Sequence, residues 1–426
     1  MIRPQSSSSS WPDAKISLSR VESKTVPVVF FLAFVVRALY AGSRLWWSGD
    51  SSWYVDVAKN IAFRHSFELT AGIPTALRPP LYSFLIAVFW WGDKAPITAV
   101  ILVQVVCSAA TVVLVYLIAK DHFSHRVALI AALGAIFAPM TVHYTAVILS
   151  ETVFTFLLVL GVFFWGRNRG PAAGLVFGLA ALTRTIVIPF VGCLALLTLL
   201  PPWRNKRRLY LIIFVSAMGI ASIWTVRNAI VFRKLTIVQA SGYGTSLFAG
   251  TIETQMYGDD VWTKVLKELD SAKEDTQDET SADRASMRRA VERIESNPAQ
   301  YLRTRLKQYP RLFLNSGDYL LGSSNITIGE ALHERNALVI IIKVSFILGN
   351  ITIFLLAIYG IILERSRFVL LSHIILFPIF LCLIHLPLWI ESRYSLPMMP
   401  LVLILAARGI EGLWQFNVSD FRQNRN

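Results

Sequence analysis

Apolar residues run along this chain in blocks too long and too continuous for a water-soluble core. The hydrocarbon layer of a bilayer is about 30 Å thick and takes roughly 20 helical residues to cross. Blocks near that length fall at 26–42, 97–119, 127–142, 151–166, 172–184, 185–200, 209–226, 337–363, 368–386 and 397–414, several of them short enough to sit tilted or sunk between neighbours. They predict an all-α, polytopic membrane bundle of about ten crossings. Two shorter pieces carry a different pattern. Residues 53–62 place Trp53, Tyr54, Val57, Ala58, Ile61 and Ala62 at helical spacing opposite Asp56, Lys59 and Asn60, as in an interfacial amphipathic helix. Residues 79–91 are too short to cross and are expected to dip into the interface, with Trp90 and Trp91 at headgroup level.

Polar residues set the orientation. The chain of 426 residues is 54% hydrophobic and 16% charged, with a formal net charge of +14 and a mean hydropathy of +0.54. In a soluble protein that charge would suggest nucleic acid. Here Lys120/Arg126, Arg167/Arg169, Arg204/Lys206/Arg207/Arg208 and Arg365/Arg367 lie on alternate short loops, together with the N-terminal tail. That is the positive-inside pattern, with an even number of crossings. Residues 43–96, 143–150, 227–336 and 387–396 then face outward. The expected organisation is a disordered cytoplasmic tail (1–25), an N-terminal membrane domain (26–226) with a catalytic first outer loop (43–96), a helical extracytoplasmic segment (227–336), C-terminal membrane helices (337–414) and a second tail (415–426). Leu302, Leu306, Tyr309 and Phe313 form an apolar stripe expected to dock the outer segment on the membrane domain.

Several function classes lack their signatures. No phosphate-binding Walker loop, dinucleotide fingerprint or lipase-type nucleophile elbow is found. No internal repeat supports a two-halved transporter. Cys107, Cys193 and Cys382 lie unpaired in apolar segments and read as packing residues. His143, His333, His373 and His385 show no ligand spacing.

The remaining chemistry sits at the predicted outer rim. Asp50 closes Arg44-Leu-Trp-Trp-Ser-Gly-Asp50, just beyond the first apolar block, where a helix N-terminus would favour its ionised form. An ionised carboxylate there is able to accept a proton from an attacking hydroxyl, or simply to cap the helix. Glu151 follows Ser150 at the outer end of the fourth block; it either caps that helix or orients a catalytic partner, a cation or an acceptor. Arg78, Arg184 and Arg393 are expected at the outer leaflet, where guanidinium groups suit a lipid phosphate. Each alone reads equally as a snorkelling or ion-paired arginine, with Glu391 at hand for Arg393. Arg37, near the end of the first block, is expected near the same cavity or paired with an acid.

The order Gly49-Asp50-Ser-Ser-Trp53-Tyr54 with Ala58, Arg78-Pro79-Pro80-Leu81-Tyr82, Ser150-Glu151, Gly178-Leu-Ala-Ala-Leu-Thr183-Arg184 and Arg393-Tyr394-Ser-Leu-Pro397-Met-Met-Pro400 resembles the dolichyl-phosphate-mannose protein mannosyltransferase superfamily. Its bacterial members include the lipid A aminoarabinose transferases. The resemblance extends to about residue 413. It implies a GT-C-type glycosyltransferase with its catalytic acid in the first outer loop and a polyprenyl-phosphate-linked sugar as donor. Asp50 matches that acid, with Glu151 beside it, and Arg78, Arg184, Arg393 and Tyr394 would hold the donor phosphate. Ser51, where some members carry a second acid, argues against the eukaryotic protein-mannosylating branch, as does the absence of that branch's sugar-binding-like module.

The expected reaction is transfer of one sugar to an acceptor hydroxyl of a lipid, glycan or protein on the outer face of a bacterial plasma membrane, with inversion. No nucleotide, redox group or nucleic acid is implied. A divalent cation through Asp50 and Glu151 has little support without histidines. The alternatives are a flippase or transporter of lipid-linked saccharides, in which the arginines bind phosphate without chemistry, and a structural envelope subunit.

Overall fold

The computed structural model describes residues 20–239, 242–252, 279–314 and 328–423, with Lys267 and Gly317 in addition. Most of the expected N-terminal tail, and 253–266, 268–278 and 318–327 of the outer segment, lie outside the described residues. Among the described residues the fold is helical, with one two-stranded hairpin as its only sheet.

The apolar blocks become helices α1 (Arg20–Ser43), α4 (Ile97–His122), α5 (His125–Phe137), α7 (Glu151–Gly166), α8 (Gly170–Ala181), α9 (Val187–Leu197), α10 (Arg207–Phe232), α15 (Ala337–Leu363), α16 (Ser372–Ile384) and α17 (Met399–Gln423). Among the described residues five stretches are long and apolar enough to span a membrane: 22–43, 97–122, 201–232, 337–363 and 392–416. A sixth is bent by 51° where α5 meets α6 (Pro139–His143). The expected uninterrupted block 127–142 is therefore corrected: Ala138 is extended (φ −60°, ψ 107°), because Pro139 restricts the residue before it and restarts the helix. α7, α8, α9 and α16 are shorter apolar helices.

α4 lies against α1, α5 and α7, while α8 packs on α7 and α10. The α8–α10 approach is set by Gly174 and Gly178: a methyl on Gly174 would sit 2.6 Å from the Ile213 carbonyl oxygen, and one on Gly178 2.9 Å from that of Ala217. Small residues four apart let two membrane helices meet backbone to backbone. Large apolar side chains such as Phe31, Leu39, Val215, Ile230 and Ile341 face outward, as lipid requires.

Residues 43–96 have their own core. α2 (Gly49–Arg64) starts earlier than its apolar stripe predicts, with the Ser48 amide donating to Ser51 Oγ at 2.9 Å. α3 (Leu81–Val88) is the short dipping helix. Tyr54, Val55 and Ala58 of α2, Tyr82 and Ile86 of α3, and Val147, Ile148 and Leu149 are buried together. Between α2 and α3 lies the hairpin β1 (Glu68–Thr70) and β2 (Ile73–Pro74), turned at Gly72 with φ +81°. The helical reading of this loop missed it.

Within 227–336, the segment expected to face outward, α11 (Tyr243–Thr251), α12 (Glu279–Ser296) and α13 (Pro298–Gln308) form a small cluster, and α14 (Ile328–His333) leads into α15. The expected stripe is split. Tyr309 and Phe313 pack on the main core, but Leu302 and Leu306 are exposed. The cause is the turn after Gln308, where a 3₁₀ segment, Tyr309–Leu312, breaks the helical register between the two pairs.

Candidate active site

Five chain segments meet at one rim of the bundle. Asp50 lies in the first turn of α2. Arg78 precedes α3, in a stretch stiffened by Pro79 and Pro80 and tied to the end of α8 by the Leu81 amide donating to the Leu182 carbonyl at 2.9 Å. Glu151 opens α7, and Arg184 sits in the turn between α8 and α9. Arg393 and Tyr394 lie in the 3₁₀ turn Ser392–Met398 that feeds α17.

The charges are interlocked. Arg78 Nη2 lies 2.5 Å from Asp50 Oδ1, and Arg393 Nη2 lies 3.2 Å from Asp50 Oδ2. Arg184 Nη1 is 2.7 Å from Glu151 Oε1, and Arg393 Nη1 is 3.8 Å from the same oxygen. Arg393 Nε faces Glu391 Oε2 at 2.7 Å. Arg393 thus links both carboxylates. The second Glu151 oxygen, Oε2, is buried without a hydrogen-bond partner. Burial pushes the Asp50 pKa up, but the Arg78, Arg393 and Arg184 guanidiniums outweigh it and hold the group below its ordinary value of 3.8.

Aromatic groups shape the rim. The Arg78 guanidinium lies 5.8 Å from the Trp53 ring and 5.6 Å from the Tyr54 ring; those of Arg184 and Arg393 lie 5.8 Å and 5.9 Å from Tyr394. Such contacts favour cations at modest desolvation. Tyr82 donates to Gln104 Oε1 at 2.6 Å, and Gln104 Nε2 donates to the Thr145 and Val147 carbonyls at 3.0 and 2.9 Å. This buried amide holds the irregular stretch leading to Glu151, a role that a lone glutamine in an apolar block hints at.

All six expected site residues therefore fall in this one region. Arg37 does not. It is buried in α1, donating to Ser108 Oγ at 2.6 Å and to the Ala33, Ala135 and Ile136 carbonyls at 3.0–3.2 Å. It borders a separate cavity of about 20 Å³ with Thr111, Thr141, Thr152 and Thr155. Instead of an acid, the free carbonyls at the end of α5 take its donors, as the C-terminus of a broken helix would. His143 meets Tyr40 at 2.9 Å, the His385 ring lies tilted beside that of Tyr394 with centroids 5.3 Å apart, His373 is buried, and His333 is exposed. Cys193 faces outward, while Cys107 and Cys382 are half-buried. Among the described residues no three His, Cys, Asp or Glu side chains gather as metal ligands.

Residues 77–225, which contain Arg78, Glu151 and Arg184, match the dolichyl-phosphate-mannose-protein mannosyltransferase family, a match covering less than half of the chain. The backbone superposes on the oligosaccharyltransferase AglB of Archaeoglobus fulgidus, solved with an inhibitory peptide and a dolichol-phosphate, over 96% of this chain with a TM-score of 0.54 at 11% identity. The chain shares the fold of that enzyme's matching part. It spans about half of AglB, 52% of that chain. The apo form of the same archaeal enzyme superposes equally, at 0.54 and 13% identity over 96% of this chain and 52% of that one. ArnT from Cupriavidus metallidurans, solved with undecaprenyl phosphate, gives a TM-score of 0.44 at 14% identity over 91% of this chain and 78% of that one. No curated protein matches the chain in sequence.

Proposed function

We propose that this protein moves one sugar from a polyprenyl-phosphate donor to an acceptor hydroxyl at the extracytoplasmic face of a bacterial plasma membrane. The observation that carries the reading is the convergence of Arg78, Arg184 and Arg393, from three separate segments, on the Asp50–Glu151 pair. In this reading the acceptor oxygen attacks the anomeric carbon from the face opposite the phosphate, which inverts that carbon. The carbon–oxygen bond to the phosphate breaks with its electron pair left on the phosphate oxygen. The acceptor proton passes to Asp50. Neutralising Asp50 as the phosphate gains charge keeps the total charge of the site constant, and the guanidiniums hold the leaving dianion.

Asp50 paired to two arginines is a weak base. A lipid phosphate that draws those guanidiniums toward itself would free the carboxylate and raise its pKa, so donor binding would itself prepare the base. Glu151 Oε2, buried and without a partner, is then available to accept a hydrogen bond from a sugar or acceptor hydroxyl. AglB was solved with a dolichol-phosphate, which supports a polyprenyl-phosphate donor here. The catalytic loop would be 43–96 within a membrane domain 26–226, and 227–336 the outer segment.

The test is incubation of the purified full chain with radiolabelled polyprenyl-phosphate sugars and native membrane extract. Labelled acceptor should accumulate together with an equal amount of free polyprenyl phosphate. Movement of intact donor across liposomes, with no free polyprenyl phosphate released, would replace the enzyme reading with transport.

A further inference from the structure

The outer segment touches the loops that carry Arg78 and Arg393, largely through side chains that grip backbone. On one side Glu279, at the start of α12, accepts from Thr75 Oγ1 at 2.7 Å and from the Ala76 amide at 2.8 Å. Thr75 Oγ1 also accepts from the Leu77 amide at 3.2 Å, so the tight turn that ends at Arg78 is closed from within and held from outside. Arg227 of α10 donates to the Thr75 carbonyl at 3.0 Å, completing the grip.

On the other side, α13 occupies three successive carbonyls of the loop that runs to Arg393. Arg305 donates to Leu386 and Leu388 at 3.0 and 2.5 Å, and Tyr301 donates to Pro387 at 3.0 Å. Arg305 is buried, with Gln308 Oε1 at 2.6 Å and the Gly250 carbonyl at 3.3 Å as its other acceptors. α11 lies flat on the same backbone: the Trp389 amide donates to the Ser246 carbonyl at 2.9 Å, and a methyl on Gly250 would stand 2.8 Å from the Pro387 oxygen. A buried guanidinium whose acceptors are backbone carbonyls and one amide fixes geometry more than it offsets charge.

We propose that the outer segment is a brace that positions the phosphate-binding arginines, with Glu279 setting Arg78, and Arg305, Tyr301 and Gly250 setting Arg393. This rests on the reading that those arginines hold the donor phosphate. The brace residues touch no substrate themselves; they are positioning residues. The arrangement also couples the outer segment to the reaction, because any movement of α12 and α13 would shift two phosphate contacts at once.

The test uses the full chain in nanodiscs and reads affinity for undecaprenyl phosphate alone, without turnover. Glu279→Gln, Arg305→Lys and Gly250→Ala should each weaken binding by about tenfold, and Tyr301→Phe by about threefold. Arg78→Ala and Arg393→Ala should weaken it further. The decisive readout is masking: Glu279→Gln should add nothing in the Arg78→Ala background, and Tyr301→Phe nothing in Arg393→Ala, because a positioning contact has no effect once its target is gone. Tyr301→Phe removes one hydroxyl on an exposed bond, so it remains informative if Arg305→Lys does not fold. Brace variants that bind like wild type, or that weaken binding equally with and without the arginines, overturn the brace. Unchanged binding in Arg78→Ala and Arg393→Ala would instead overturn the phosphate reading itself.

Discussion

Two buried glutamates in this molecule each lie between two arginines, and they end differently. Glu364, at the predicted cytoplasmic end of α15, uses both oxygens: Arg408 Nε donates to Oε1 at 2.7 Å and Arg367 Nη1 to Oε2 at 2.8 Å. Arg367 also reaches the His122 carbonyl at 3.3 Å, and Arg408 faces Glu411 at 3.6 Å. That cluster staples the ends of α4 and α15 to the middle of α17. Glu151, at the opposite rim, has Arg184 and Arg393 on one oxygen and no hydrogen-bond partner on the other. Each cluster leaves one arginine N–H without an aligned acceptor, Arg393 Nε and Arg408 Nη1, so the difference lies in the carboxylates. The same ingredients make a closed structural joint in one place and a site with spare hydrogen-bonding capacity in the other.

That contrast is open to breakage by substitution. Beyond Asp50, the largest effect should come from Arg393→Ala, which removes the residue linking both carboxylates; sugar transfer should fall by about 10²–10³-fold, read as kcat/KM on a purified donor. A fall below tenfold would remove Arg393 from the centre of the account. Next, Glu364→Gln should destabilise the fold by about 3–5 kcal/mol, the usual result of breaking a buried pair. Its melting temperature should drop, while the protein still folded transfers sugar at the wild-type rate. Glu151→Gln should reverse the pattern: transfer falls by about tenfold or more, with a smaller change in melting temperature, because its partner Arg184 is part-exposed. Equal stability losses in the two variants would erase the distinction.

The smallest expected effect is one of pH. Asp50 has a folded pKa below its unfolded value, so its stabilising contribution is present above the unfolded pKa and lost only as pH falls through the lower folded one. Since kcat/KM reports the free enzyme, it should show no acid limb from Asp50 between about pH 8 and about pH 5. A limb centred near neutrality that disappears in Asp50→Asn would mean the arginines do not control this carboxylate.

Much of the fold is legible because a bilayer demands long apolar runs. The block 337–363 and the helix Ala337–Leu363 coincide, and 151–166 likewise. The break at Ala138 is not read from the pattern, because the apolar neighbours of Pro139 conceal it. The site is legible only as a set, since Asp50, Arg78, Glu151, Arg184 and Arg393 each sit beside a turn or helix end where a capping or snorkelling role reads equally well. Contacts made to backbone at long range leave no local pattern. Glu279 lies 203 residues from Ala76 and Arg305 81 residues from Leu386; in the chain both read as ordinary charges on polar helices. Leu302 and Leu306 continue a stripe in sequence that the 3₁₀ turn at Tyr309–Leu312 divides in space.

The most direct measurement compares wild type and Asp50→Asn in nanodiscs, following donor binding and release of free polyprenyl phosphate in the same sample. The substitution keeps size and removes the proton acceptor, so binding should persist while transfer falls by about 10²–10⁴-fold. Transfer at the wild-type rate with binding intact would contradict the account, because the chemistry would then be proceeding without the carboxylate that Arg78 and Arg393 both grip.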